Sequence, residues 1–481
     1  MSSRFPNHPR TDRRVRRIAV AGLVAMTSVG CTVGPDYHRP LLTTPGAFKS
    51  ATTTGDQPVR PEWWREYGDP ELDRLVTIAD ASNQTLRQAI AAVDQGRALA
   101  RVASSYRYPT IALGSTLTRQ RTSGSRVSPA SGQAVESAST FSDWLVPISL
   151  SYEIDVWGRV RRSIESARAD AVASADDEAA IRLAVHTDVA QYYFTIRSLD
   201  AQAALLDQTL ASYREQVRLL SAQVANGLAS ALVVHQAEAQ LESTTAQRRD
   251  MVRARADEEH ALAVLCGQPA PTFSVAVSPL PDAPPPAIPA ALPAMLLTRR
   301  PDVAASEQRV VAANARVGVA VADLYPTFSL TSTAGFESAN LRTLFDWRSR
   351  LASIVPGVVL PIFQGGRNRA NLDAARAEYR QTVAAYVNQV LDAYRDVEDA
   401  LTDRDALDTM VGDYQRAATA ASNYHRLALV QYKTGLADYL TVIDAERTLL
   451  AARLSLAQAG NLRHTASIRL VKALGGGWQP R

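Results

Sequence analysis

Residues 431–450 read QYKTGLADYLTVIDAERTLL and residues 223–242 read QVANGLASALVVHQAEAQLE. One segment is written twice, so the structure it encodes is duplicated, and the repeat governs every later inference about fold. Working outward, the two copies stay collinear. Tyr108-Pro109-Thr110-Ile111 corresponds to Tyr325-Pro326-Thr327-Phe328, and Trp157-Gly158-Arg159 corresponds to Gly365-Gly366-Arg367. Each copy runs through helix, strand, loop, strand, long helix, a Gly-Leu-Ala break and a second long helix.

The long helices follow from composition. Gly158 to Ala225 is rich in Ala, Gln, Arg and Glu and holds no breaker. As one helix it would run roughly 100 Å at 1.5 Å per residue, far beyond the three or four turns usual in globular proteins. Asn226-Gly227 and Thr434-Gly435 place glycine where a helix end needs a left-handed residue. Helix resumes after each, so the breaks at 226–230 and 434–438 are tips of coiled-coil hairpins. Asp69-Pro70-Glu71 opens the first helix, with Asp as N-cap and Pro at the first position, and the pattern predicts helix to about Ser104. Arg300-Pro301-Asp302 opens the second copy in the same way.

The strands alternate. In Tyr108 to Thr118, Ile111, Leu113 and Leu117 fall on one face. In Leu145 to Trp157, Ile148, Leu150, Tyr152, Ile154 and Val156 oppose Ser149, Ser151, Glu153 and Asp155. Period-two patterning of this length means a sheet with one apolar and one polar surface. The second copy gives Thr327 to Phe336 and Ser353 to Phe363, where Pro356 and Pro361 favour a sheet margin. Residues 119–140 read as a Ser/Gly/Arg-rich loop.

Charge and leader bound the rest. The formal net charge is +4, but the first 30 residues carry six Arg and one Asp; without them 46 basic and 47 acidic residues remain, a net charge of −1. Nucleic-acid binding gains no support. Arg10 to Arg17, the apolar run Ile18 to Val29 and Ser28-Val29-Gly30-Cys31 make up a secretory leader ending in a lipobox. The apolar run, about 12 residues, is too short to span a bilayer. Nothing else approaches a spanning helix, so any membrane insertion is by strands. Cys31 is the expected lipidation site, carrying a diacylglyceryl group and an N-acyl chain, which suffice for stable anchoring. Thr32, rather than Asp, follows it and fits sorting to the outer membrane. Cys266, the only other cysteine, is expected to be an unpaired packing residue.

The expected division is a signal peptide over 1–30, a lipidated lead over 31–60, a first repeat over 61–268, a Pro-rich linker over 269–300, a second repeat over 301–476 and a tail over 477–481. Four amphipathic strands cannot close a membrane barrel, which takes about eight at least, and an open edge in lipid is excluded. Three chains would supply about 12 strands.

Taken together, Cys31-Thr32-Val33-Gly34-Pro35-Asp36-Tyr37, Trp63-Trp64 with Gly68-Asp69-Pro70-Glu71-Leu72, Arg299-Arg300-Pro301-Asp302-Val303, Pro361-Ile362-Phe363-Gln364-Gly365-Gly366-Arg367 and Tyr432-Lys433-Thr434-Gly435-Leu436 resemble the TolC-type outer-membrane efflux family, in its NodT-like lipoprotein branch. The resemblance spans nearly the whole mature chain. It implies a mixed α and β membrane protein: a homotrimer of duplicated protomers with a 12-stranded outer-membrane β-barrel and a 12-helix periplasmic α-barrel. It further implies a periplasmic adaptor and an inner-membrane pump of the RND type as partners, outer-membrane lipid as surroundings, and efflux of drugs or toxic small compounds as function.

By position in the family, Asp444 stands at the pore constriction, where threefold symmetry would form a carboxylate ring favouring cations. Asp438 would add charge nearer the tip. Thr441 stands where some members have a further Asp, and Gln236 replaces the acid in the first copy. Gly227-Leu228-Ala229 and Gly435-Leu436-Ala437 match the adaptor-docking tips. No paired metal ligands, nucleophile elbow or phosphate loop points to an enzyme; His186, His235 and His425 read as helix-surface or packing residues. A conduit for secreted proteins and a non-conducting envelope spacer stay open at this stage.

Overall fold

A computed structural model describes residues 32–50, 59–127, 134–135, 138–281, 283–288 and 293–479. The leader and Cys31 lie outside the described residues. The principal elements are α1 (Pro70–Ser82), α2 (Gln84–Ser105), β1 (Thr110–Leu113), β2 (Thr116–Arg121), β3 (Thr140–Ile154), α3 (Arg159–Ala225) and α4 (Ala231–Leu265), followed by α5 (Pro301–Ala322), β4 (Thr327–Ser338), β5 (Arg350–Val359), α6 (Arg367–Lys433) and α7 (Tyr439–Ala473). The long helices α3 and α6 each have 67 residues, and α4 and α7 each have 35. The duplication read from sequence is therefore reproduced helix for helix. Among the described residues no helix is long and apolar enough to cross a membrane.

The described residues form two compact units, one drawn from 32–39, 95–171 and 308–383, the other from 40–94, 172–307 and 384–479. The first unit contains the sheet. Its order is β1/β2, β3, β4, β5, all antiparallel, with β1 and β2 sharing one position against β3. The expected first strand is thus split. Pro147, which has no N–H to donate, sits opposite the gap, and Gly114 N donates to its carbonyl at 2.9 Å. The strands also reach further into the loop than the sequence suggested, because Arg119, Gln120 and Arg121 keep pairing with Ser142, Phe141 and Thr140. At the other end β3 stops at Ile154, short of the expected Trp157. The Asp155 carboxylate turns away to cap α3, accepting from Val160 N at 3.1 Å and Arg161 N at 2.9 Å. β5 ends at Val359 instead of Phe363, and its Pro356 lies on an edge strand as expected.

The second unit is helical. Its core gathers Trp63, Leu72, Tyr193, Phe194, Leu262, Cys266 and Ile468. Cys266 is free and fully buried, and burial pushes its thiol up to about 11. The expected continuous helix to Ser104 is broken at Asn83, whose backbone is extended (ψ 125). Asn83 Oδ1 accepts from Leu86 N at 2.9 Å and Nδ2 donates to Leu265 O at 2.8 Å, so one side chain starts α2 and ties it to the end of α4. His186 packs edge-on against Trp64, and its Nε2 lies 3.1 Å from Asp80. It is a packing residue, as its sequence context suggested.

Candidate functional site: hairpin tips, two-faced sheet and N-terminal lead

The two hairpin tips have the same backbone. Gly227 (φ 72) and Gly435 (φ 75) are left-handed. In the first tip Gly227 N donates to Val224 O at 3.0 Å and Leu228 N to Gln223 O at 2.8 Å; in the second Gly435 N donates to Tyr432 O at 3.1 Å and Leu436 N to Gln431 O at 2.8 Å. This paired closure is what a glycine after a helix end makes. Leu228 and Leu436 are 79% and 81% exposed, so each tip presents an apolar side chain to solvent. Re-entry into helix is capped by Ser230 in the first copy and Asp438 in the second. Asp438 Oδ1 accepts from Thr441 N at 3.0 Å and Thr441 Oγ1 at 2.7 Å, which holds its carboxyl below the usual range. Thr441, in place of a further Asp, thus completes this cap.

Behind the tips the two hairpins pack through Leu220, Ala237, Tyr439, Val442 and Ile443. Asp444 follows on the exposed side of α7, where Tyr424 OH donates to its Oδ2 at 3.0 Å. Two residues further along α7 lies a residue that the sequence reading missed. Glu446 is only 8% exposed; Gln216 Nε2 donates to its Oε1 at 2.6 Å, and Tyr439 OH donates to Gln216 Oε1 at 2.7 Å. His425 Nε2 lies 3.4 Å from the same Glu446 oxygen. Burial raises the Glu446 carboxyl above its ordinary value, and Tyr213 nearby is pushed up to about 12, by burial first and then by this acid. Its signal was legible: Tyr439, Val442, Ile443, Glu446, Leu449 and Leu450 fall on one helical stripe, and one member is charged. In the first copy the matching Glu238 is exposed and pairs locally with His235 at 3.0 Å.

The strand register sorts the sheet into two faces. Ile111, Leu150, Ser332 and Ile354 align across the four positions, as do Leu113, Ile148, Ala334 and Ala352. With Leu117, Trp144, Leu330 and Val358 they make one face almost entirely apolar. The opposite face carries Thr110, Ser149, Ser151, Glu153, Ser329, Thr331 and Thr333. Many apolar members are exposed in the single chain, Ile111, Leu113, Ile354 and Val358 among them. Among the described residues, β1/β2 and β5 each pair on one side only.

The lead just after Cys31 is pinned to the base of this sheet. Val33 N donates to Trp157 O at 3.0 Å, Asn314 Nδ2 to Pro35 O at 2.9 Å, and Arg162 Nη2 to Asp36 Oδ1 at 2.7 Å. Trp157 stacks on Tyr325 at 4.9 Å and donates its Nε1 to Pro326 O at 2.8 Å.

A profile of the outer membrane efflux protein family matches residues 75–268 and 292–476, both halves of the chain. The chain belongs to the outer membrane efflux protein family. It is 34% identical over 472 residues to the probable efflux pump outer membrane protein SepC of Pseudomonas putida, covering 96% of each chain. It is 30% identical over 460 residues to the cation efflux system protein CusC of Escherichia coli, covering 95% of this chain and 98% of that one. The solved outer-membrane channel OprN superimposes with a TM-score of 0.86 at 28% identity, over 94% of this chain and all of that one. The protein is thus an outer-membrane efflux channel of the Gram-negative envelope, and efflux prevails over the secretion and spacer alternatives. Channels of the outer membrane efflux family are trimeric and work with periplasmic adaptors and inner-membrane pumps; the homologues are channel proteins, not enzymes.

Proposed function

We propose that the chain is the passive exit duct of a tripartite pump, assembled as a homotrimer and gated at the hairpin tips. The observation that carries this is the sheet: one apolar face, one polar face and two open edges. Open edges in lipid leave backbone groups unsatisfied, and pairing β5 of one copy with β1/β2 of the next satisfies them while turning the polar face to a lumen. Asp444 is the constriction residue, its carboxylate exposed on α7 and lightly held by Tyr424. Asp438, six residues nearer the tip, adds charge while capping the helix. Gly227-Leu228-Ala229 and Gly435-Leu436-Ala437 are the adaptor-docking tips, where Leu228 and Leu436 offer an apolar contact. The pump on the inner membrane is of the RND type.

Cys31 carries the diacylglyceryl and N-acyl lipid. The pinned lead supports this, because Val33 is held beside Trp157 where strand gives way to helix, which in the proposed duct is the periplasmic margin of the barrel. The relatives' names cover cations in one case and a general efflux pump in another, as expected if the duct accepts what its pump selects.

Single-channel recording in planar bilayers tests the gate. Wild type should give small cation-selective currents, and Asp444→Ala should enlarge them or reduce their selectivity several-fold. Currents indifferent to the substitution would remove Asp444 from the constriction.

A further inference from the structure

The sheet register places three arginines where an apolar surface would not be expected to carry them. Arg119 stands opposite Ser142 and Arg121 opposite Thr140, in phase with Leu117 and Trp144; Arg350 stands opposite Phe336. All three therefore lie on the apolar face. They sit at its loop end, away from the junctions with α2, α3, α5 and α6. The strand acids of this end, Asp143 and Glu337, pair with Thr118 and Leu145 and so belong to the polar face. Among the described residues neither Arg119 nor Arg121 has an ion-pair partner. Arg350 donates Nε to Trp347 O at 3.0 Å, and its guanidinium lies over the Trp347 ring, itself 78% exposed.

A cation on the lipid-facing side of a barrel is expensive at the bilayer midplane and nearly free at the interface. Since the helices lead into the periplasm, the loop end lies at the outer leaflet, whose principal lipid in a Gram-negative envelope is a phosphorylated, multiply acylated glycolipid. Arginine forks match phosphate oxygens two at a time, and Trp144 and Trp347 supply the amphipathic rings that settle at headgroup depth. We propose that Arg119, Arg121 and Arg350 form a rim that binds the phosphates of outer-leaflet lipid A. The proposal rests on the reading that the apolar face meets lipid. It adds a specific lipid contact that would hold the duct upright from outside while the Cys31 anchor holds it from within.

Native mass spectrometry of the purified full-length protein tests the rim with three probes: lipid A bearing both phosphates, the same lipid A with both removed, and phosphatidylglycerol. Wild type should retain phosphorylated lipid A at least about tenfold more tightly than either other probe. Arg119→Gln/Arg121→Gln/Arg350→Gln should lose that preference, and the triple Lys variant, which keeps the charge but not the fork, should keep only part of it. Equal retention of phosphorylated and dephosphorylated lipid A by wild type overturns the proposal, as does unchanged preference in the Gln variant. Retention of phosphatidylglycerol equal to that of lipid A overturns the assignment to the glycolipid. If the Gln variant does not assemble, the wild-type comparison of probes decides alone. Insertion and conductance of the variants report separately on the barrel, so failure of the rim and failure of the barrel reading are distinguishable.

Discussion

Gly34 has a left-handed backbone (φ +95), and a Cβ there would stand 2.5 Å from the Cα of Gly318. Two glycines meet because the lead must lie directly on α5. Gly34→Ala is expected to destabilise on the order of 1–3 kcal/mol, seen as a lower thermal midpoint of the purified protein. A midpoint equal to wild type would mean that the lead is not held there. At the second tip, the lowered pKa of Asp438 gives a pH sign. Its cap is fully present above the unfolded value near 3.8 and is lost as pH falls through the lower folded value. Asp438→Ala should speed hydrogen exchange in the first turn of α7 at neutral pH, whereas Asp438→Asn, which keeps an accepting oxygen, should not. Acceleration in both would show that charge, not capping, holds this turn.

At the level of helices, the buried join of Gln216 on α3 with Tyr439 and Glu446 on α7 couples the hairpin of one repeat to that of the other. The Glu446 carboxyl is raised by burial. Its contribution is therefore fully present below the unfolded value of about 4.5 and is lost as pH rises through the higher folded value. His425 on α6 faces the same oxygen, while Asp444 points away to Tyr424. Glu446→Gln imitates the protonated acid. It should leave tip stability unchanged near pH 4 and raise it progressively as pH climbs to 8, measured by hydrogen exchange around Tyr439 to Leu450. The idea fails if the variant's advantage does not grow with pH. Sequence showed a glutamate on an apolar stripe; it did not show that Glu446 is buried while Glu238, its counterpart, is exposed, because burial depends on what packs against each stripe.

For the assembled channel, the two faces of the sheet predict opposite tolerances. Ile354, aligned with Ser332 near mid-strand, is on the apolar face, and Thr331 is on the polar one. Ile354→Arg should cost about 2–4 kcal/mol of assembly and deplete heat-stable trimer in the membrane, whereas Thr331→Arg should assemble and alter conductance. Equal tolerance would mean that the apolar face does not meet lipid.

The duplicated segments, the alternation of Ile148 to Ile154 and the unbroken run to Ala225 determined the strands, the long helices and the tips, because each is a local periodicity or a single backbone requirement. The break at Asn83, the split at Gly114, the early turn at Asp155 and the burial of Glu446 were decided only in three dimensions. Each depends on a partner distant in sequence or on an alternative use of a side chain: Leu265 for Asn83, Pro147 for Gly114, the start of α3 for Asp155 and Gln216 for Glu446. Periodicity fixes which face a residue takes; only packing fixes what lies opposite it.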